Sequence, residues 1–157
     1  MQHPEVAVGE GVERLYREHG GRLWSSLFAY SGDRDVTDDA VAEAFAQALR
    51  RGSQLRDPLA WIWKVAFRLA AGELGRRRSL SAALPDVSEE TEMIDGRVLA
   101  AVRLLPERQR AAVALHYYAD LSVQESARIM GARPMTVGVH LHRARTRLRD
   151  LLGDDVD

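Results

Sequence analysis

The stretch 104–152, LLPERQRAAVALHYYADLSVQESARIMGARPMTVGVHLHRARTRLRDLL, decides the fold. Ser122 followed three residues later by Glu125 is a capping box, each side chain satisfying an orphan backbone donor of the other residue, so a helix starts at Val123. Ala127 and Met130 continue the apolar face of Val123. Gly131 then supplies the left-handed residue that turns the chain. Pro134 opens the next helix at its first position, where a missing N–H costs nothing. On that helix Val137, Leu141, Ala144 and Leu148 recur at helical spacing and form the buried seam. At 100° per residue the opposite face carries Met135, Thr136, Val139, His142, Arg143 and Thr146, flanked by Gly138, Arg147 and Arg149. Two helices joined by a short Gly-containing turn form the arrangement in which the second helix enters the DNA major groove by its N-terminal residues. An ordinary αα-hairpin has the same outline, but Pro134 to Arg149 holds four arginines and no acid in a chain of net charge −1. Arginines gathered on one helix suit phosphate contact.

The segment LPERQRAAVALHYYADLS followed by a helix-turn-helix ending LHRARTRLRDLL resembles region four of an extracytoplasmic-function (ECF, group IV) RNA polymerase sigma factor. The resemblance extends over about residues 15–152, with two motif blocks in order.

Composition agrees with a small helical protein. The 157 residues fit one domain or two small ones, and a hydrophobic content of 46% beside 29% charged residues is ordinary for a soluble chain. No apolar run reaches the roughly 20 residues of a membrane span. The N-terminus MQHPEVAVGEG has neither a basic start nor an apolar core, so no secretory signal is read there and a cytoplasmic location is expected. The absence of cysteine excludes disulfides and thiolate chemistry. Near-neutral charge confines any DNA contact to local basic patches.

Upstream, residues 1–10 read as a frayed tail. A helix is expected from Val12 to about Tyr30, with a kink at Gly20 and Gly21. Thr37 is expected to cap the next helix, with Asp38 and Asp39 in its first turn and Val41, Ala44, Phe45, Ala48 and Leu49 as its buried stripe. Asp57-Pro58 starts a third helix running to Arg78. That helix carries Trp61, Trp63, Phe67 and a closing triplet Arg76, Arg77 and Arg78. Helical aromatics are usually core, yet aromatic faces beside cations are also what single-strand stacking needs. Residues 79–92 have linker composition. Apolar periodicity resumes through Val98, Leu99, Val102 and Leu105, and Pro106 restarts a helix to about Tyr118. No β alternation, repeat or Gly-rich phosphate loop is found, so the chain reads all-α in two small domains, 11–78 and 93–153.

The resemblance implies that domain 11–78 acts as sigma region 2, binding core RNA polymerase at the β′ clamp coiled coil and melting the minus-ten element. It implies that domain 93–153 acts as region 4, reading the minus-thirty-five element and meeting the β flap. Asp39, Glu43 and Phe45 match the family's core-binding pattern, of which Asp39 and Glu43 are the candidate polymerase contacts. The candidate minus-ten residues are Ser53, Gln54 and Arg56 in the loop, Trp63, Lys64 and Arg68 on the third helix, and Arg76, Arg77 and Arg78 at its end. For the minus-thirty-five element they are Arg133, Met135, Thr136, Val139, His142, Arg143 and Arg147. Ala42, Arg68, Gly72, Gly138 and His140 depart from residues common in the family. Promoter DNA, core polymerase and an anti-sigma factor are the implied partners, and no cofactor is implied.

A stand-alone helix-turn-helix regulator is the alternative, though it leaves the Trp-rich N-terminal domain without a role. An enzyme is disfavoured. Asp33, Asp35, Asp38 and Asp39 straddle a turn and a helix start, where capping or solvated Asp is normal, and no nucleophile or base partners them. His140 and His142 diverge around the helix, so no metal pair is expected.

Overall fold

The computed structural model describes residues 4–80 and 96–153, and among them there is no strand. The helices are α1 (Pro4–Ser31), α2 (Arg34–Arg51), α3 (Pro58–Leu80), α4 (Gly96–Arg103), α5 (Glu107–Val113), α6 (Val123–Met130) and α7 (Pro134–Leu152). A 3-10 turn, Gly52–Gln54, follows α2, and a π-helical turn, Ala114–Tyr118, extends α5.

The second half follows its sequence closely. Ser122 Oγ accepts from Glu125 N and Glu125 Oε1 accepts from Ser122 N, both at 3.0 Å, which closes the capping box. Gly131 ends α6 at φ 66°, and Pro134 starts α7. Val137, Leu141, Ala144 and Leu148 are buried in one cluster with Val102, Leu105, Ala112, Val113 and Ala127. A fully buried Leu or Val side chain contributes about 1.5–3 kcal/mol, so this seam anchors α7 to α4, α5 and α6.

Several first-half expectations are corrected. Helix α1 begins at Pro4, so residues 4–10 are helical instead of a tail, and it continues through Gly20 and Gly21. Helix α2 begins at Arg34, capped by Asp33, whose Oδ1 accepts from Val36 N at 2.9 Å. Thr37 is inside the helix and buried, its Oγ1 donating to the Asp33 carbonyl at 2.7 Å and sharing a 2.9 Å bond with Ser31 Oγ. The preceding turn uses Gly32 at φ 67°, a left-handed conformation, and a Cβ there would have to displace the Arg103 guanidinium. That contact is invisible to local cap rules. Leu49 is 51% exposed, so the buried stripe of α2 ends at Ala48. Helix α3 starts as expected, Asp57 Oδ1 accepting from Ala60 N, but runs two residues past Arg78 to Leu80. Most of the linker 79–92, and Asp95, lie outside the described residues.

The core of the first half is built from Leu23, Leu27, Val36, Phe45, Ile62, Trp63 and Phe67, and it continues into the second half through Ala111, Ala114, Leu115 and Ala119. Ser26, fully buried on α1, donates to the Ala114 carbonyl at 2.8 Å. Small residues on both sides bring α1 close to the π-helical turn.

Candidate nucleic-acid interface

Helix α7 presents its outer face to solvent. Met135 is 82% exposed, and Arg133, Thr136, Val139, His142, Arg143 and Arg147 are exposed with it. The residues at the N-terminal end mix methyl groups with a hydroxyl, the chemistry that meets thymine methyls and base edges in a major groove. Arg143 and Arg147 make no salt bridge or side-chain hydrogen bond among the described residues, whereas Arg145 donates to the Tyr117 hydroxyl at 2.7 Å. His140 is half-buried, and burial together with Arg108 and Arg143 holds its pKa below the ordinary histidine value, favouring a neutral ring.

The candidate residues of the first half divide into three groups. Trp63 is 3% exposed, stacked on Phe67 with ring centroids 6.3 Å apart. Its ring fills the core, so stacking on a base is not available to it in this arrangement. The half-exposed ring beside it is Trp61, with the Arg51 guanidinium 5.3 Å from its centroid. Sequence spacing fitted either tryptophan to the inside.

Lys64 and Arg68 are exposed and, among the described residues, without a bonded acid. They line a cleft of about 240 Å³ whose other wall is Glu107, Arg108, Met130 and Gly131 from α5 and α6. Arg108, which donates to the Met130 carbonyl at 3.2 Å, adds a third cation there. Nothing local in the sequence signals Arg108, because the cleft unites residues far apart in the chain. Ser53, Gln54 and Arg56 are exposed in the loop between α2 and α3.

The arginine triplet is paired. Arg76 and Arg77 bond Glu73, at 2.6 and 3.1 Å, and their hydrogen bonds bring the Glu73 pKa down to about 2. Arg77 also reaches Asp33 at 2.7 Å and Arg78 reaches Glu107 at 3.3 Å. The Glu107 carboxylate additionally accepts from the Tyr30 hydroxyl at 2.8 Å. Burial pushes the Glu107 pKa up, but the bonds from Tyr30 and Arg78 outweigh it and the net shift is down. Burial and the Glu107 carboxylate raise that of Tyr30.

On α2, Asp39 and Glu43 are exposed. Glu43 is engaged within the helix by Gln47 at 3.0 Å and Arg50 at 2.9 Å, which lower its pKa. Exposed Leu49 lies on the same helix. Among the described residues no cluster of His, Asp and Glu could hold a metal ion, and no helix is long and apolar enough to cross a membrane.

Residues 95–148 match the family described as Sigma-70, region 4. The chain is 28% identical over 172 residues to the ECF RNA polymerase sigma factor BldN of Streptomyces coelicolor, covering 99% of this chain and 65% of that protein. It is 29% identical over 150 residues to the ECF RNA polymerase sigma factor SigM of Mycobacterium tuberculosis, covering 90% and 76% respectively. Among solved structures, the sigma factor RpoE, crystallised with the anti-sigma factor NepR from Bartonella quintana, has the same fold. It superimposes with a TM-score of 0.76 at 20% identity, over 92% of this chain and 98% of that one.

Proposed function

We propose that this chain is an extracytoplasmic-function sigma factor that binds core RNA polymerase and directs promoter-specific transcription initiation in the cytoplasm. The observation that carries this is α7. A buried seam of Val137, Leu141, Ala144 and Leu148 holds a solvent-facing row of base-reading and phosphate-binding side chains, within the segment that matches sigma region 4. The chain is a binding module and not an enzyme. Residues 11–78 serve as region 2, 79–92 as the linker and 93–153 as region 4.

In this reading Asp39 and Glu43 meet the polymerase β′ clamp coiled coil, and region 4 meets the β flap. Lys64, Arg68, Arg76, Arg77, Arg78 and the loop residues Ser53, Gln54 and Arg56 serve minus-ten DNA. Arg133, Met135, Thr136, Val139, His142, Arg143 and Arg147 serve the minus-thirty-five element. An anti-sigma factor is a further partner, since RpoE was crystallised with one.

Capture of core RNA polymerase by the purified full chain tests the reading. The wild type retains core enzyme, and reversing Asp39 and Glu43 to Lys abolishes capture with helicity unchanged. DNA binding without capture of core enzyme by the wild type would point instead to a stand-alone regulator.

A further inference from the structure

We propose that Glu107 is an internal stand-in for promoter phosphate: its carboxylate clamps Tyr30 and Arg78 of the N-terminal part and keeps the free protein closed over its minus-ten surface. This rests on α3 being the DNA-facing helix of that part.

Two polar contacts cross from the N-terminal part and converge on this one carboxylate, the Tyr30 hydroxyl at 2.8 Å and Arg78 at 3.3 Å. Arg78 stands at the end of α3 and is exposed, so a phosphate approaching it competes with Glu107 for the same guanidinium. Closure also puts Lys64 and Arg68 on a cleft whose far wall is Met130 and Gly131. A backbone seated on α3 would need that wall to move.

The apolar part of the junction packs Ala111, Ala114, Leu115 and Ala119 of the second half against the core of α1 and α3, so the Glu107 contacts add to a closure that apolar burial also favours. Arg110 lies in the junction with its guanidinium 5.3 Å from the Tyr30 ring centroid, donating to the Leu105 carbonyl at 3.2 Å. Its Nε is buried without a partner among the described residues. The unmet donor weakens the closed state, while the guanidinium over the Tyr30 ring favours it. Helix α7, by contrast, packs on α4, α5 and α6, and its Arg145 bonds Tyr117 of the π-helical turn. Its outer face stays open when the halves are closed, so the minus-thirty-five surface is available first and the minus-ten surface only after Glu107 lets go.

The chain has no cysteine, so Ala42→Cys on α2 and Asp150→Cys on α7 give two unique dye sites on exposed positions of the full protein. Energy transfer between them reads closure, and anisotropy with a fluorescent oligo-dT reads backbone binding independent of sequence. Wild type shows high transfer that falls as oligo-dT is added. Glu107→Gln keeps the size but removes the charge. It lowers transfer in the absence of DNA and tightens oligo-dT binding by about three- to five-fold, the scale of a part-exposed ion pair. Tyr30→Phe, which deletes one hydroxyl, shifts both readings the same way by less. Helicity by circular dichroism separates opening from unfolding. Unchanged transfer, or unchanged oligo-dT affinity, in both folded variants overturns the proposal. Core polymerase capture is run alongside: its failure with wild-type protein would remove the sigma reading, while the transfer data judge the clamp independently.

Discussion

Helices α3 and α7 each carry a row of arginines, and the structure treats the rows oppositely. On α7, Arg143 and Arg147 project into solvent with no carboxylate of the described residues on them. On α3, Arg76, Arg77 and Arg78 are engaged by Glu73, Asp33 and Glu107. Composition alone gives the two rows the same DNA-binding promise. Readiness to bind is set by acids that tertiary packing brings up, two of which come from elsewhere in the chain. The aromatic content differs likewise. Helix α7 has no aromatic apart from histidine, whereas α3 commits Trp63 and Phe67 to the core.

The most severe test of this contrast is Trp63→Ala. If the ring is core, truncation costs about 3–5 kcal/mol and lowers the denaturant midpoint markedly, with or without DNA. A loss of DNA affinity at unchanged stability would show instead that Trp63 works at the surface, and that α3 resembles α7 more closely than its burial indicates.

That contrast also marks how far the sequence is legible. The capping box at Ser122, the left-handed Gly131, Pro134 at the helix start and the seam of α7 are all local signals, each satisfied within a few residues, and each is readable from the sequence alone. Thr37 fits a cap by the local rule, a threonine before two aspartates. Asp33 holds the role instead because its carboxylate reaches the Val36 amide and the Thr37 hydroxyl turns inward to Ser31. Leu49 has the right spacing for burial, but the α2 core ends one residue earlier. For the candidate site, exposure along α7 follows from periodicity. The Glu107 clamp and the cleft opposite Lys64 do not, because the partners that Glu107 holds lie 29 and 77 residues away in the chain.

A smaller effect sharpens the comparison through salt. For every phosphate that a protein ceases to neutralise on a duplex, the slope of log affinity against log salt becomes shallower by about 0.9. Arg143→Ala therefore reduces the slope by roughly one unit and weakens matched and mismatched minus-thirty-five duplexes alike, because phosphate contacts carry no sequence information. Arg77→Ala, measured with single-stranded DNA, gives less than the roughly 0.7 unit due to a free cation, since Arg77 must first leave Asp33 and Glu73. Equal full-sized slope changes in both variants would show that the pairs on α3 do not restrain their arginines. Val139→Ala instead alters which duplex is preferred, read by competition between matched and mismatched sites.

Acid provides the finest probe. The Glu107 pKa is lower when its carboxylate holds Tyr30 and Arg78 than when exposed, so the closed arrangement gains stability from it above the ordinary glutamate value of about 4.3 and loses that stability as pH falls through the lowered value. The charged or titratable groups facing it are Tyr30, Arg78 and Arg110. The pair is part-exposed, which limits the effect to about 1 kcal/mol or less after solvent screening. Energy transfer between the two dye-labelled halves should stay level from neutral pH to about pH 5 and decline below about pH 4. Glu73 loses its pairs with Arg76 and Arg77 lower still, as pH falls toward about 2, and these pairs lie within α3, so they leave the distance between halves unchanged. Glu107→Gln should flatten the decline. A transition near pH 6.5 that survives in Glu107→Gln would instead assign closure to another titrating group.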